Sequence, residues 1–156
     1  MRGSPLAVSL LTMAFLAPAI GVPLAQQAPA VAPAGSSVAL DFEFFRTKVQ
    51  PIFVARREGH ARCVACHTTA SNMRLQPLAD GTTMWDEPDA RKNFAAVSRV
   101  VVPGSLQSRL LVHPLATDAG GDFFHNGGKH FASQTDREWL ILRDWVMGQT
   151  SARSGK

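Results

Sequence analysis

Hydrophobic positions along the chain fall into three stretches with helical spacing, separated by long runs that have none. Between Asp41 and Arg57, Phe45, Val49 and Ile52 or Phe53 recur at i, i+4 and i+7/8, the stripe of an amphipathic helix. Pro51 inside it removes a backbone donor, which predicts a kink or a split into two short pieces. A second helix is predicted from Ser105 to about His113, announced by Pro103-Gly104 and a capping Ser105, with Leu106, Leu110 and Leu111 sharing a face. The third is the clearest. Thr135-x-x-Glu138 makes a capping box, Asp136 suits the positive helix end, and Trp139, Leu142, Trp145 and Val146 repeat until Gly148. No stretch alternates polar and apolar residues for long, so the expected fold class is all-α with long irregular loops.

The N-terminal end follows another pattern. Arg2 precedes a run from Leu6 to Ile20 that is apolar apart from Ser9 and Thr12, and small residues follow at Ala19, Gly21 and Ala25. This is the layout of a signal peptide over residues 1–25, cut near Gly21 or Ala25. The run is shorter than the roughly 20 residues that span a bilayer, and Pro18 and Pro23 sit in or just after its second half, which favours cleavage over an anchor. No cysteine lies near the cut to carry a lipid. Residues 26–37, rich in Ala and Pro and uncharged, read as an extended linker. Residues 38–156 are the length of one small domain, expected in the periplasm or another extracytoplasmic compartment. The formal charge of +4 includes Arg2, so the mature chain carries one less; no clustered basic face suggests nucleic-acid binding.

One short run bears on chemistry more than any other. Cys63-Val64-Ala65-Cys66-His67 reads C-x-x-C-H, the attachment signature of haem c, in which each thiol adds across a haem vinyl group and the adjacent imidazole ligates iron. A structural zinc site needs about four ligands, and Cys63 and Cys66 are the only cysteines. A redox dithiol would sit near a βαβ pattern, which the flanks lack. With one such motif and no internal repeat, the expectation is one covalent haem, with His67 as its proximal ligand.

The surrounding residues resemble a family. Val49-x-Pro51-Ile52-Phe53, then the Cys-x-x-Cys-His run, then Val101-Val-Pro-Gly-x-x-x-Ser-x-Leu-Leu111, then Trp145-Val-x-Gly148 is similar to class I cytochrome c domains, closest to the planctomycete-type and acidobacterial monohaem domains. The resemblance covers about Asp41 to Gly148. It implies that the first and last helices pack beside the haem, with Phe45 or Val49 near Trp145 or Leu142. It also implies that the Pro103 carbonyl accepts the proximal imidazole Nδ1–H, a bond that tunes ligand basicity.

The chain departs from the family at the other face of the iron. Many class I domains place a ligating methionine in a Met-Pro-Pro segment before the last helix, where this chain has Phe124-His-Asn-Gly-Gly-Lys-His130. His125 falls nearest the ligand position, with His113 and His130 as alternatives. Met73 follows His67 too closely to reach round easily, Met84 in a turn-rich segment stays open as a further alternative, and His60 reads as a surface residue. The glycine pairs around Phe123, Phe124 and His125 suit a loop laid against a flat macrocycle that buries both rings.

The expected function is a monohaem electron carrier, not an enzyme, with bis-His ligation and low potential, since the thioether ligand is what raises potential in Met/His cytochromes. Its partners would be redox proteins, with no small-molecule substrate. Two other readings stay open: a haem enzyme or gas sensor with a displaceable sixth site, and a haem subunit of a membrane-associated respiratory or photosynthetic complex.

Overall fold

The computed structural model describes residues 38–69 and 71–152; the expected signal peptide and linker lie outside them. The first helix, α1, runs as Phe42–Phe44 in α-form, Phe45–Val49 in π-form and Gln50–Val54 in α-form. Asp41 caps it, its carboxylate accepting from the Phe44 N–H at 2.5 Å. Pro51 neither breaks nor splits this helix. Within the π stretch the Gln50 N–H reaches the Phe45 carbonyl, five residues back. The wider turn lies just ahead of the proline, whose ring crowds the carbonyl four residues earlier.

The motif forms its own short helix, α2 (Cys63–His67). α3 (Glu87–Ser98) has no counterpart among the three predicted helices. Asp86 caps it through the Asp89 N–H at 2.9 Å, and Pro88 occupies its first turn, where a missing N–H costs nothing. α4 (Arg109–Val112) is shorter than predicted. Ser105 does not cap it: residues 105–108 are used in turns, the Ser105 hydroxyl accepts from Gln107 N–H, and Leu106 is exposed rather than sharing a face with Leu110 and Leu111. α5 (Arg137–Val146) stops before Gly148, whose φ of +82° suits glycine. Its capping box is absent, because Glu138 turns to Arg57 and the Thr135 hydroxyl meets Ser133. Among the described residues there are no strands, only isolated bridges between Arg57 and His60 and between Leu115 and Phe131.

α1 and α5 meet through aromatic rings. Phe45 and Trp145, both fully buried, stand 5.3 Å apart, and Phe94 of α3 closes on them at 5.5 and 5.9 Å. Such pairs each add about 0.5–1.5 kcal/mol beyond burial. The implied contact of Phe45 with Trp145 is therefore present. The indole N–H of Trp145 donates to the Asp41 carbonyl at 2.9 Å and that of Trp139 to the Leu111 carbonyl at 3.2 Å, so both tryptophans are satisfied within the core. No described helix is long and apolar enough to cross a membrane.

Candidate functional site

A cavity of about 590 Å³ opens between α1, α2, α4, α5 and the loop carrying His125. Ile52, Phe53, Leu110, Phe131 and Leu142 supply apolar wall. Cys63, Cys66 and His67 line it together with His113, His125 and His130, so the structure gathers every histidine and cysteine expected of the site, while Pro103 is not among its lining residues. Among the described residues no aspartate or glutamate lines it, while Arg62 and Arg109 do. Mostly apolar walls with a few convergent polar groups are the usual form of a cofactor site, and the volume is within the normal range.

α2 positions the motif by burying Val64 while leaving Cys66 exposed and Cys63 half-buried. The chain then reverses, the Leu75 N–H donating to the His67 carbonyl at 2.7 Å. That reversal brings the Met73 carbonyl to 3.0 Å from His67 Nδ1, with the Ser71 hydroxyl at 2.7 Å from the same nitrogen and 2.8 Å from the same carbonyl. A carbonyl only accepts, so Nδ1 carries the proton and the Nε2 lone pair is left for a metal. The acceptor is thus Met73, not Pro103. Pro103 sits in an exposed turn whose neighbours are committed elsewhere: Gly104 N–H donates to Val146, and Val102 is held on both sides by the Ser108 hydroxyl.

Residues that sequence reasoning missed hold this segment. The buried Asn93 accepts from the Gln76 N–H at 2.7 Å, and the Trp85 indole donates to the Gln76 carbonyl at 2.8 Å. α3 therefore fixes the backbone just beyond Met73. The helix-start signal Asp86-Glu-Pro-Asp89 is the sequence feature that points to α3.

His125, which lines the same cavity, is held the same way as His67. Its Nδ1 lies 2.6 Å from the Gly128 carbonyl, so it too donates there and leaves Nε2 free. The Gly128 N–H returns a bond to the His125 carbonyl at 2.9 Å, closing a tight turn that needs the positive φ of Gly128. The rings of His67 and His125 stand 6.4 Å apart, inclined at 33°. A metal–imidazole bond of about 2.0 Å, with the ring centre about 1.2 Å behind the ligating nitrogen, puts two rings on opposite sides of one metal about 6.4 Å apart. The spacing fits a shared iron.

The other histidines are placed differently. His113 Nδ1 donates to Asp122 at 2.8 Å, and its Nε2 faces the Arg109 guanidinium at 3.4 Å, so both nitrogens are engaged. Its ring lies 4.8 Å from that of His125. His130 stands 5.7 Å from His125 and 4.9 Å from the exposed His60, with its Nδ1 buried and without a partner. Met73 brings its carbonyl to the proximal imidazole, and Met84 borders a separate hollow near Trp85 and Asp86. Phe124 reaches the cavity wall but is 64% exposed and Phe123 is 91% exposed, contrary to the expected burial of both. The turn at His125–Gly128 directs the imidazole inward and leaves the two preceding rings outside.

Burial holds His67 below its ordinary pKa, partly offset by the Met73 carbonyl, with His113 lowering it further. His125 is lowered chiefly by burial, against the Gly128 carbonyl, with His113, His67 and Lys129 adding to the fall. His130 is pushed down to about 4 by burial and then by Arg57 and the neighbouring imidazoles. Burial raises the Cys63 thiol, a trend that the nearby Arg57 opposes. Neutral imidazoles are the form that binds metal. Among the described residues no three His, Cys, Asp or Glu side chains converge as a closed metal site. A haem iron asks for less, since the macrocycle brings four nitrogens and the protein adds the axial pair.

Comparison with protein-family models, with curated proteins and with solved structures finds no match to this chain.

Proposed function

We propose that this is an exported monohaem c-type cytochrome that carries single electrons, with Cys63 and Cys66 as covalent anchors and His67 and His125 as axial ligands. The observation that carries the reading is the pair of imidazoles 6.4 Å apart on one cavity, each with Nδ1 on a backbone carbonyl, beside both motif thiols. Bound haem supplies one-electron iron chemistry. The chain's own part is to hold and to exclude. Met73 and Gly128 carbonyls fix the tautomer and plane of the two imidazoles, so neither ligand has to reorient when the charge at the site changes. Ile52, Phe53, Leu110, Phe131 and Leu142 keep water from the cavity wall. Two imidazoles without a thioether set a low potential. Electrons pass to and from protein partners outside the cytoplasm, and the chain does not act as an enzyme.

The test is the spectrum of the oxidised and reduced protein beside His125→Met. Wild type is expected to be low-spin, without a methionine-to-iron charge-transfer band and without rapid carbon monoxide binding. His125→Met gains that band, and its potential rises. A methionine band in wild type, rapid carbon monoxide binding, or the absence of covalent haem would overturn the reading; the carbon monoxide result would favour a sensor or enzyme with an open site.

A further inference from the structure

The loop that carries His125 is joined to the rest of the domain through very few bonds. On its entry side the Asp122 N–H donates to Val112, and on its exit side the Phe131 N–H donates to Pro114. Between them, the His125–Gly128 turn is closed on itself by its two reciprocal bonds. Among the described residues, the hydrogen bonds that tie residues 123–130 to anything outside that segment come from one side chain, Lys129. Its ammonium donates to the carbonyl of His113 at 3.1 Å and to that of Asp122. One acceptor ends α4 and the other opens the loop, so a single charge holds three points of backbone around the distal imidazole. Hydrogen bonds from an ammonium are roughly twice as strong as neutral ones.

We propose that Lys129 is the positioning residue for the sixth ligand: its ammonium, clasping the His113 and Asp122 carbonyls, holds the loop so that His125 faces His67. This rests on the haem reading above and assigns the control of that site to a residue that does not touch the iron. Without the clasp, the His125 turn keeps its own internal bonds and swings as a unit, because nothing else of hydrogen-bonding strength connects it to α4. The iron's distal side then opens for part of the time. A lysine that served stability alone would lower the unfolding midpoint and leave the ligation unchanged.

The experiment compares wild type with Lys129→Met, which keeps the stem and removes the charge, and with Lys129→Arg and Lys129→Gln, which restore donors in part. Carbon monoxide association with the reduced protein reads the open fraction, and the ferric spectrum reads spin state. Lys129→Met is expected to bind carbon monoxide about tenfold faster and to show a high-spin fraction, a tenfold change in opening corresponding to about 1.4 kcal/mol. Lys129→Arg falls between it and wild type. Unchanged association and spin state in Lys129→Met, with haem bound, overturn the proposal; if that variant does not fold, wild-type behaviour in Lys129→Gln does so. Failure of the haem reading is separate and shows with Lys129 intact, as missing covalent haem in wild type or a spectrum that His125→Met leaves unchanged.

Discussion

Arg57 and Glu138 are 81 positions apart and joined by a short, partly buried ion pair, and their coupling can be measured. The guanidinium donates through Nε at 2.8 Å and through Nη2 to the same Glu138 oxygen, gives Nη2 also to the Ile52 carbonyl at 3.2 Å, and lies 5.4 Å over the Phe131 ring. Its side chain is 14% exposed against 35% for the carboxylate. A fully exposed pair contributes about 0–1 kcal/mol, whereas breaking a fully buried one costs about 3–5 kcal/mol. This pair lies between, and a coupling of about 1–2 kcal/mol follows. In a double-mutant cycle of Arg57→Met and Glu138→Gln, followed by urea unfolding and far-ultraviolet dichroism, Arg57→Met alone costs about 2–3 kcal/mol. That figure includes the lost bond to Ile52 and the packing on Phe131. Glu138→Gln alone costs about 1–2 kcal/mol, and the double variant less than the sum. A coupling below about 0.3 kcal/mol, or one abolished by moderate salt, would refute the reasoning and class the pair with ordinary surface charges.

Thr135→Ala should cost under about 0.5 kcal/mol in the same assay, not the ~1 kcal/mol of a true N-cap, because its hydroxyl meets Ser133 rather than the helix. Gly121→Ala should disrupt the loop ahead of His125, since a Cβ there would stand 2.0 Å from the Leu115 carbonyl oxygen; a drop of several degrees in the melting temperature is expected, and none would show that the backbone yields easily. In haem-free protein, the unfolded chain protonates His130 near 6.5 while the folded chain holds out to about 4. The unfolded state therefore binds more protons in that window, so stability falls as pH drops from about 6.5 towards 4, and His130→Gln should flatten the slope of the unfolding midpoint against pH. An unaltered slope would place the acid sensitivity elsewhere.

Much of the helical frame was readable because large apolar residues repeat at helical spacing. Trp139, Leu142, Trp145 and Val146 mark α5 in this way, and Phe45, Val49 and Ile52 mark α1. α3 escaped because the residues it buries include Ala90, Asn93 and Ala96, small or polar side chains that leave a faint stripe. The motif residues were legible from local spacing alone. Met73 as acceptor was not, since a backbone carbonyl carries no side-chain signature and arrives by a reversal fixed through Asn93 and Trp85. His125 was favoured over His113 from its place ahead of the last helix, whereas the engagement of both His113 nitrogens by Asp122 and Arg109 depends on partners that sequence does not specify.

The π stretch at Phe45–Val49 has a consequence for how the chain could be altered. α1 does two jobs: Phe45 packs into the aromatic cluster with Phe94 and Trp145, while Ile52 and Phe53 form wall of the cavity. The wider turn takes up one extra residue without rotating the turns on either side, so deleting one residue from the stretch would let the helix wind regularly with both ends still in phase. The same deletion in the regular turn at Gln50–Val54 would instead rotate the residues beyond it by about 100° and face either the aromatic cluster or the cavity wall the wrong way. The π stretch thus works as slack in the helix, the one described part of α1 that can give up a residue while core face and cavity face keep their phase, and a substitution at the exposed Arg46, Thr47 or Lys48 leaves that phase untouched as well.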